Sequence, residues 1–239
     1  MITNTQTGTA LDEISDGIYR ISTPVTSPPG GFSYNQYLIA DRMPLLYHTG
    51  PRAMFRFVCE AIERVLPVEE LRYLCFSHFE SDECGSVNQF LERAPEAALL
   101  CGRIGAMLNA DAWDRRPQPL EDGATLELGH HRLQWLDAPH LPHAWDCGHL
   151  FDASTRTLFC GDLFTQPGPG RPALTRADIL ESSESLRATM DYYAHGTRTR
   201  ELLEKLSGTR PVTLACMHGS AWEGDGASLL KELGSLIVR

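Results

Sequence analysis

The sequence predicts an α/β fold in which two sheets pack together with helices on the outside. Three observations carry that prediction. Short apolar runs recur along the chain, some alternating and some continuous, as strands buried on one face or on both do. Stretches of helical spacing separate these runs in the first and last parts of the chain, while hairpin-like pairs fill the middle. Four of the runs end in histidine, aspartate or glutamate, and the C-terminal ends of strands are where α/β proteins place their chemistry. At 239 residues and 42% apolar side chains, the chain has material for one domain, 1–239, with a substantial core.

The first fifty residues read as strands: DGIYRIST alternates, YNQYLIAD is a second run, and MPLLYHTG a third, closed by Thr-Gly-Pro. MFRFVCEAIERVL has helical spacing and stops at Pro67. RYLCFS is a short buried strand and SVNQFLERA the helix after it. AALLCG is a strand, RIGAMLNADAW a helix, and DRRPQPLEDG (114–123) a loop. The runs ATLELG, HRLQWLDA, GHLFDAS and RTLFCGD are linked by short turns, as antiparallel hairpins are. The proline- and glycine-rich TQPGPGRPA leads to two helical segments, ADILESSESLRATMDYYAHG and TRELLEKLSG. PVTLACMHG is the last strand and ASLLKELGSLIV the last helix.

A formal charge of −10 argues against a nucleic-acid partner, whose phosphates would be repelled. The N-terminal MITNTQTGTALDE has neither the basic start nor the apolar core of a signal peptide. No run approaches the roughly 20 apolar residues of a membrane span. Seven cysteines, odd in number and without a CxxC, read as reduced thiols of a cytoplasmic protein.

The candidate site begins at SHFESDECGS, where His78, Glu80 and Asp82 occupy alternate positions and Glu83 follows. WLDAPHLPHAWD adds Asp137, His140, His143 and Asp146, LFCGD adds Asp162, and LACMHG adds His218. Each has an ordinary explanation by itself. Ser77 and Asp82 suit helix caps, Glu83 suits the positive end of a helix, Asp162 suits a turn, and a lone histidine is usually solvated or satisfied. Together they are harder to explain, because adjacent buried carboxylates repel unless paired or metal-bound. Three carboxylates and three imidazoles suit two metal ions sharing one carboxylate.

These residues resemble the metallo-β-lactamase superfamily, and within it the diiron branch of flavodiiron proteins and related oxygen-binding diiron proteins. Hydrolases of the superfamily carry HxHxDH after a buried strand; the diiron branch carries HxExD, as HFESD does here. The spacing is similar too: 60 residues separate Asp82 from His143, 18 separate His143 from Asp162, and 55 separate Asp162 from His218. His140 would leave 21, so His143 is the better match. HGSAW resembles the last-ligand segment, and DYYAHG a helical stretch that brings a tyrosine near the iron pocket.

The resemblance implies an αβ/βα sandwich of two mixed sheets. It implies one iron held by His78, Glu80 and His143, a second held by Asp82 and His218, and Asp162 bridging them. Tyr193, in preference to Tyr192, would serve as the nearby tyrosine. It implies O2 or NO as the small-molecule ligand, with the protein acting as an oxygen binder or sensor, or as a reductase. Glu80 makes the site oxygen-rich, which suits iron or manganese better than zinc. With no flavodoxin-like segment in these residues, a separate electron-donor protein is expected, and a homodimer is compatible with the resemblance. Two departures stand out. Glu83 occupies a position where the family often has histidine, and His48 stands where many members have aspartate. The alternative is a dinuclear zinc hydrolase of the same fold acting on a thioester, ester or lactone. A third is an interaction module with a structural metal.

Overall fold

The structure is a computed structural model that describes residues 1–27 and 30–237. Two mixed sheets stack face to face, each covered by helices on its outer side. The first sheet follows chain order: β1 (Ile2–Asn4), β2 (Thr9–Ser15), β3 (Ile18–Val25), β4 (Phe32–Ile39), β5 (Leu45–Tyr47), β6 (Tyr73–Cys75), β7 (Ala98–Gly102) and β8 (Gln118–Leu120). It is antiparallel as far as β5 and parallel from β5 to β8. The second contains β9 (Thr125–Glu127), β10 (Arg132–Asp137), β11 (Gly148–Asp152), β12 (Thr157–Gly161), β13 (Leu174–Thr175), β14 (Thr213–Cys216) and β15 (Ala221–Glu223), in the spatial order β13-β15-β14-β12-β11-β10-β9. The helices are α1 (Phe55–Ile62), α2 (Ser81–Cys84), α3 (Val87–Arg93), α4 (Arg103–Leu108), α5 (Leu180–Met190), α6 (Thr199–Gly208) and α7 (Gly226–Ile237).

Strand alternation sorts the side chains into three apolar layers. Leu38, Leu74 and Leu99 face outward against Val58, Ile62, Phe90 and Leu91 of α1 and α3. Tyr37, Ile39, Cys75 and Leu100 face inward and meet Trp135, Leu150, Phe159 and Ala215 of the second sheet. Leu158, Cys160, Leu214 and Cys216 point away on the far side, against Leu180, Leu202, Leu206 and Leu230 of α5, α6 and α7. Every strand of this central region is thus buried on both faces, which is why its sequence reads as a continuous apolar run.

Polar contacts also cross between the sheets. Asn35 N donates to Met217 O at 2.9 Å, and Tyr37 Oη donates to Cys216 O at 2.6 Å. Asn35 Nδ2 and the buried Arg20 guanidinium both donate to Gly219 O, at 2.8 and 2.7 Å. The segment leaving β14 is therefore tied to the first sheet on both sides of His218.

Three expectations need correction. Residues 118–120 fall within the expected loop, yet they pair in parallel with β7; Pro119 is tolerated because β8 is the sheet edge. The helix expected through DYYAHG ends at Met190, because Asp191 turns left-handed (φ 49°) and caps it, so Tyr192 and Tyr193 lie in a loop. The helix expected over RIGAMLNADAW stops at Leu108, followed by a 3-10 turn at Ala110–Ala112. The last helix runs to Ile237; Val238, included in the expected segment, lies outside the described residues.

Candidate metal centre

Four chain segments deliver the site, each leaving a strand at its C-terminal end. β12 and β14 are parallel neighbours, and β10, two antiparallel steps from β12, points the same way. Their ends place Asp162, His218 and the 138–147 loop with His143 at one end of the sandwich. β6 of the first sheet ends there too and supplies His78, Glu80 and Asp82. Gly161 makes the approach feasible. Its φ is 51°, and a Cβ there would stand 3.2 Å from Ser77 Cβ and Oγ, next to His78.

The side chains gather into two sets. In the first, Nε2 of His143 lies 3.2 Å from Glu80 Oε1, 3.2 Å from Asp162 Oδ2 and 3.0 Å from Nε2 of His78. His78 Nε2 is itself 3.5 Å from Asp162 Oδ2 and 3.7 Å from Glu80 Oε1. In the second, Nε2 of His218 lies 3.1 Å from Asp162 Oδ1 and 3.4 Å from Asp82 Oδ2, with Glu83 in the same cluster. Asp162 therefore turns one oxygen to each set. Donor atoms about 2.1 Å from a common ion at tetrahedral or octahedral angles stand about 3.0–3.4 Å apart, so these spacings suit a metal.

Orientation supports the same conclusion. His218 Nδ1 donates to Ser33 O at 2.9 Å, which leaves the Nε2 lone pair facing Asp162 and Asp82. His78 Nδ1 meets Ser77 Oγ at 2.8 Å, and Ser77 Oγ meets Nε2 of the buried His48 at 3.1 Å. Asp162 Oδ1 is buried and receives no hydrogen bond despite its closeness to His218. Both oxygens of Glu83 are buried without a donor as well. A protein that leaves such acceptors unfilled has left room for something else to fill them.

The electrostatics show how unbalanced the cluster is without a cation. Burial disfavours the imidazolium at His143 and His218. The carboxylates beside them nonetheless hold both up at about 10: Asp162 and Glu80 for His143, Asp162 and Asp82 for His218. His143 and His78 pull Glu80 down to about 2. Burial would raise Asp162, but His143 and His218 beside it hold it well below the usual range. Burial and the charges of Asp162 and Asp82 push Glu83 far up. Protons on imidazole thus do the work of positive charge, and a metal ion binding here would displace them.

All six residues expected as ligands converge: His78, Glu80, Asp82, His143, Asp162 and His218. Sequence reasoning left Glu83 open between a pocket residue and a ligand, and the structure puts it in the second set; it did not identify the supporting roles of Ser33, Ser77 and His149, whose Nε2 approaches Leu141 O at 3.1 Å beneath the His143 loop. His140 is exposed, and Asp137 is held by the Trp135 indole at 2.6 Å. Asp146 Oδ2 accepts the Phe79 amide at 3.1 Å. The tyrosine expectation needs adjusting. Tyr192 stands against the site, its ring edge-on to His143 and its hydroxyl donating to Asp162 O at 3.3 Å. Tyr193 turns away towards Arg187 and lines a cavity of about 610 Å³ with Arg187 and His195. Leaving the helix at Asp191 sends the two neighbours in different directions.

Access is from the side of Glu80, whose side chain is 47% exposed, whereas His78 is fully buried. Phe79 and Trp145 are exposed nearby in sequence, while Phe164 is core and the Trp222 indole donates to Ala177 O. Phe32 and Tyr34 pack against the His218 ring at 4.2 and 5.6 Å.

A four-layer sandwich with two sets of metal-capable side chains at the C-terminal ends of its strands is the architecture of a metallo-β-lactamase-like protein. Within that class the chain belongs to the ODP family: the model described as ODP family beta lactamase matches residues 32–219. It is 28% identical over 199 residues to diflavin flavoprotein A 2 of Synechocystis sp., covering 79% of this chain and 33% of that one. It is 23% identical over 214 residues to the anaerobic nitric oxide reductase flavorubredoxin of Aliivibrio salmonicida, covering 84% and 42%. The chain thus spans less than half the length of these curated relatives. Among solved structures, a flavo di-iron protein variant from Thermotoga maritima superposes with a TM-score of 0.85 at 20% identity, over 96% of this chain and 61% of that one. A fragment of diflavin flavoprotein A 5 from Nostoc sp. PCC 7120 gives 0.82 at 19%, over 95% and 94%. These likenesses establish the fold.

Proposed function

We propose that residues 1–239 form one domain that binds two iron ions and, through them, O2 or NO, as an oxygen binder or sensor or as a reductase supplied by a separate electron-donor protein. The observation that carries this reading is Asp162, with one oxygen turned to each of two donor sets. His78, Glu80 and His143 would hold one ion, Asp82 and His218 the other, and Asp162 both. Glu80 and Asp82 favour a hard ion, which is one reason for iron or manganese over zinc. The naming of relatives as flavo di-iron proteins and nitric oxide reductases adds support. Bound there, ferrous iron would supply the electrons that O2 or NO accepts.

The chain's own groups prepare that chemistry. Ser77, backed by His48, and the Ser33 carbonyl fix the rings of His78 and His218, so no reorientation is needed on binding. Glu80 and His143 form the accessible rim, where a diatomic molecule would enter, and Tyr192 borders it. The seven cysteines are all free and buried, which supports a cytoplasmic setting. Among the described residues no helix is long and apolar enough to cross a membrane.

The test is anaerobic reconstitution with ferrous iron, metal analysis, and then addition of O2 or NO. About two irons per chain and a new visible absorption on adding the gas are expected. Fewer than two irons, or two with no response to either gas, would sink the reading. Zinc loading with brisk thioester or lactone hydrolysis would put the hydrolase in its place.

A further inference from the structure

The two donor sets are unequal if only the six family-like ligands are counted. The first has four donors in His78, Glu80, His143 and Asp162. The second would have only Asp82, His218 and the other oxygen of Asp162. Glu83 stands beside that shorter set. A donor atom from each of Asp82, Glu83 and His218 lies within 4.8 Å of the others. The Glu83 side chain is fully buried, and neither of its oxygens meets a hydrogen-bond donor. Its backbone is pinned as well: Glu83 O accepts Thr49 N at 2.7 Å and Thr49 Oγ1 at 3.4 Å. The carboxylate is therefore held inside, against Asp82, in an environment that penalises it unless a cation arrives.

We infer that Glu83 is a terminal ligand of the second metal ion, completing a set of Asp82, Glu83, His218 and the shared Asp162. This rests on the two-ion reading above and makes the two positions chemically distinct. The first combines two imidazoles with Glu80 and a share of Asp162. The second combines one imidazole with two carboxylates and a share of Asp162. The second position is the harder and more anionic, and it should discriminate more strongly for manganese or iron over zinc.

The test uses the full chain, stripped by chelation and dialysed anaerobically against Mn(II), Fe(II) or Zn(II), with bound metal measured directly. Wild type should bind two ions. Glu83→Gln should keep the first at wild-type affinity and bind the second at least about tenfold more weakly, since even outer-sphere partners of a metal contribute that much. Glu83→His offers a neutral ligand at the same place. It should restore the second ion for zinc more than for manganese. Iron X-ray absorption should show fewer oxygen neighbours in both variants. Two ions bound to Glu83→Gln with wild-type affinity would overturn the inference and leave Glu83 a buried neutral acid. So would an unchanged manganese-to-zinc preference in Glu83→His. A wild type that takes up one ion or none would overturn the two-ion reading itself, and this assignment with it.

Discussion

Of the buried histidine–aspartate pairs in this sandwich, His131–Asp152 and His218–Asp162 differ in a way that separates a structural ion pair from a candidate metal site. His131 Nδ1 meets Asp152 Oδ2 at 2.9 Å as a hydrogen bond, and Asp152 is otherwise filled by Ser154 N, Thr155 N and Thr155 Oγ1. His218 and Asp162 are nearly as close, at 3.1 Å, yet Asp162 Oδ1 receives no hydrogen bond and the ring's Nδ1 is already committed to Ser33 O. In the first pair both carboxylate oxygens have donors from the chain. In the second, an imidazole nitrogen and carboxylate oxygens converge on a space suited to a cation, and only a proton on the ring balances their charge. Close approach alone does not tell the two apart; the count of satisfied acceptors does.

The comparison breaks most completely at Asp162. Asp162→Asn should weaken both ions by at least about 100-fold, read as loss of both from dialysed protein, because among the described residues Asp162 alone turns an oxygen to each set. Next in size, His143→Ala and His218→Ala should each lose one ion and retain the other, so that metal analysis falls from two per chain to about one. If either variant loses both, the two sets are one cooperative unit.

The structural pair should behave oppositely, with metal content unchanged and stability altered. Asp152→Asn strands a buried imidazolium and should cost about 3–5 kcal/mol in denaturant unfolding. Burial lowers the His131 pKa, but the Asp152 carboxylate beside it outweighs this and leaves it raised. Burial likewise works against the Asp152 charge, and His131 and Thr155 hold its pKa below the usual value. The His131 contribution is complete below the unfolded imidazole value of about 6.5 and fades as pH rises through the folded one. The Asp152 contribution is complete above about 3.9 and fades as pH falls through its depressed value. Wild type should therefore gain most from the pair between about pH 4 and 6.5, and Asp152→Asn should flatten that part of the stability profile.

Smaller effects sharpen the picture. Ser77→Ala frees the His78 ring and should weaken the first ion about tenfold while sparing the second. Tyr192→Phe removes one hydrogen bond to Asp162 O, about 1 kcal/mol, and should perturb the absorption of the iron-loaded protein. Tyr193→Phe should leave that spectrum alone; the opposite result would restore Tyr193 to the site.

Much of this was legible in the amino-acid sequence. Alternation in DGIYRIST and the apolar runs YNQYLIAD and RTLFCGD follow from faces buried by neighbouring layers, and all three became strands. The six expected residues could be located because each lies on a segment that leaves a recognisable strand, with the family-like spacing to Asp162 choosing His143 over His140. Supporting contacts were hidden for a physical reason: they join residues far apart in sequence. Ser33 meets His218 across 185 residues of sequence, and His48 meets Ser77 across 29. Gln118–Leu120 looks like a loop because proline and charge surround it, and only its partner β7 makes it a strand. Tyr192 and Tyr193 could not be ranked, since the ranking depends on where a helix ends. Glu83 is the sharpest case, because a first-turn acid on a surface helix and a buried carboxylate have the same local sequence.

Each donor set draws on both sheets: His78, Glu80, Asp82 and Glu83 leave β6 of the first, and His143, Asp162 and His218 come from the second. An ion at either position would therefore work as a rivet across the mouth of the sandwich. Losing it would let the two halves breathe at that end before anything else unfolds. Metal supply in the cell would then govern the protein's lifetime as well as its activity, because the stripped form would open its site end to proteases while the loaded form stays shut.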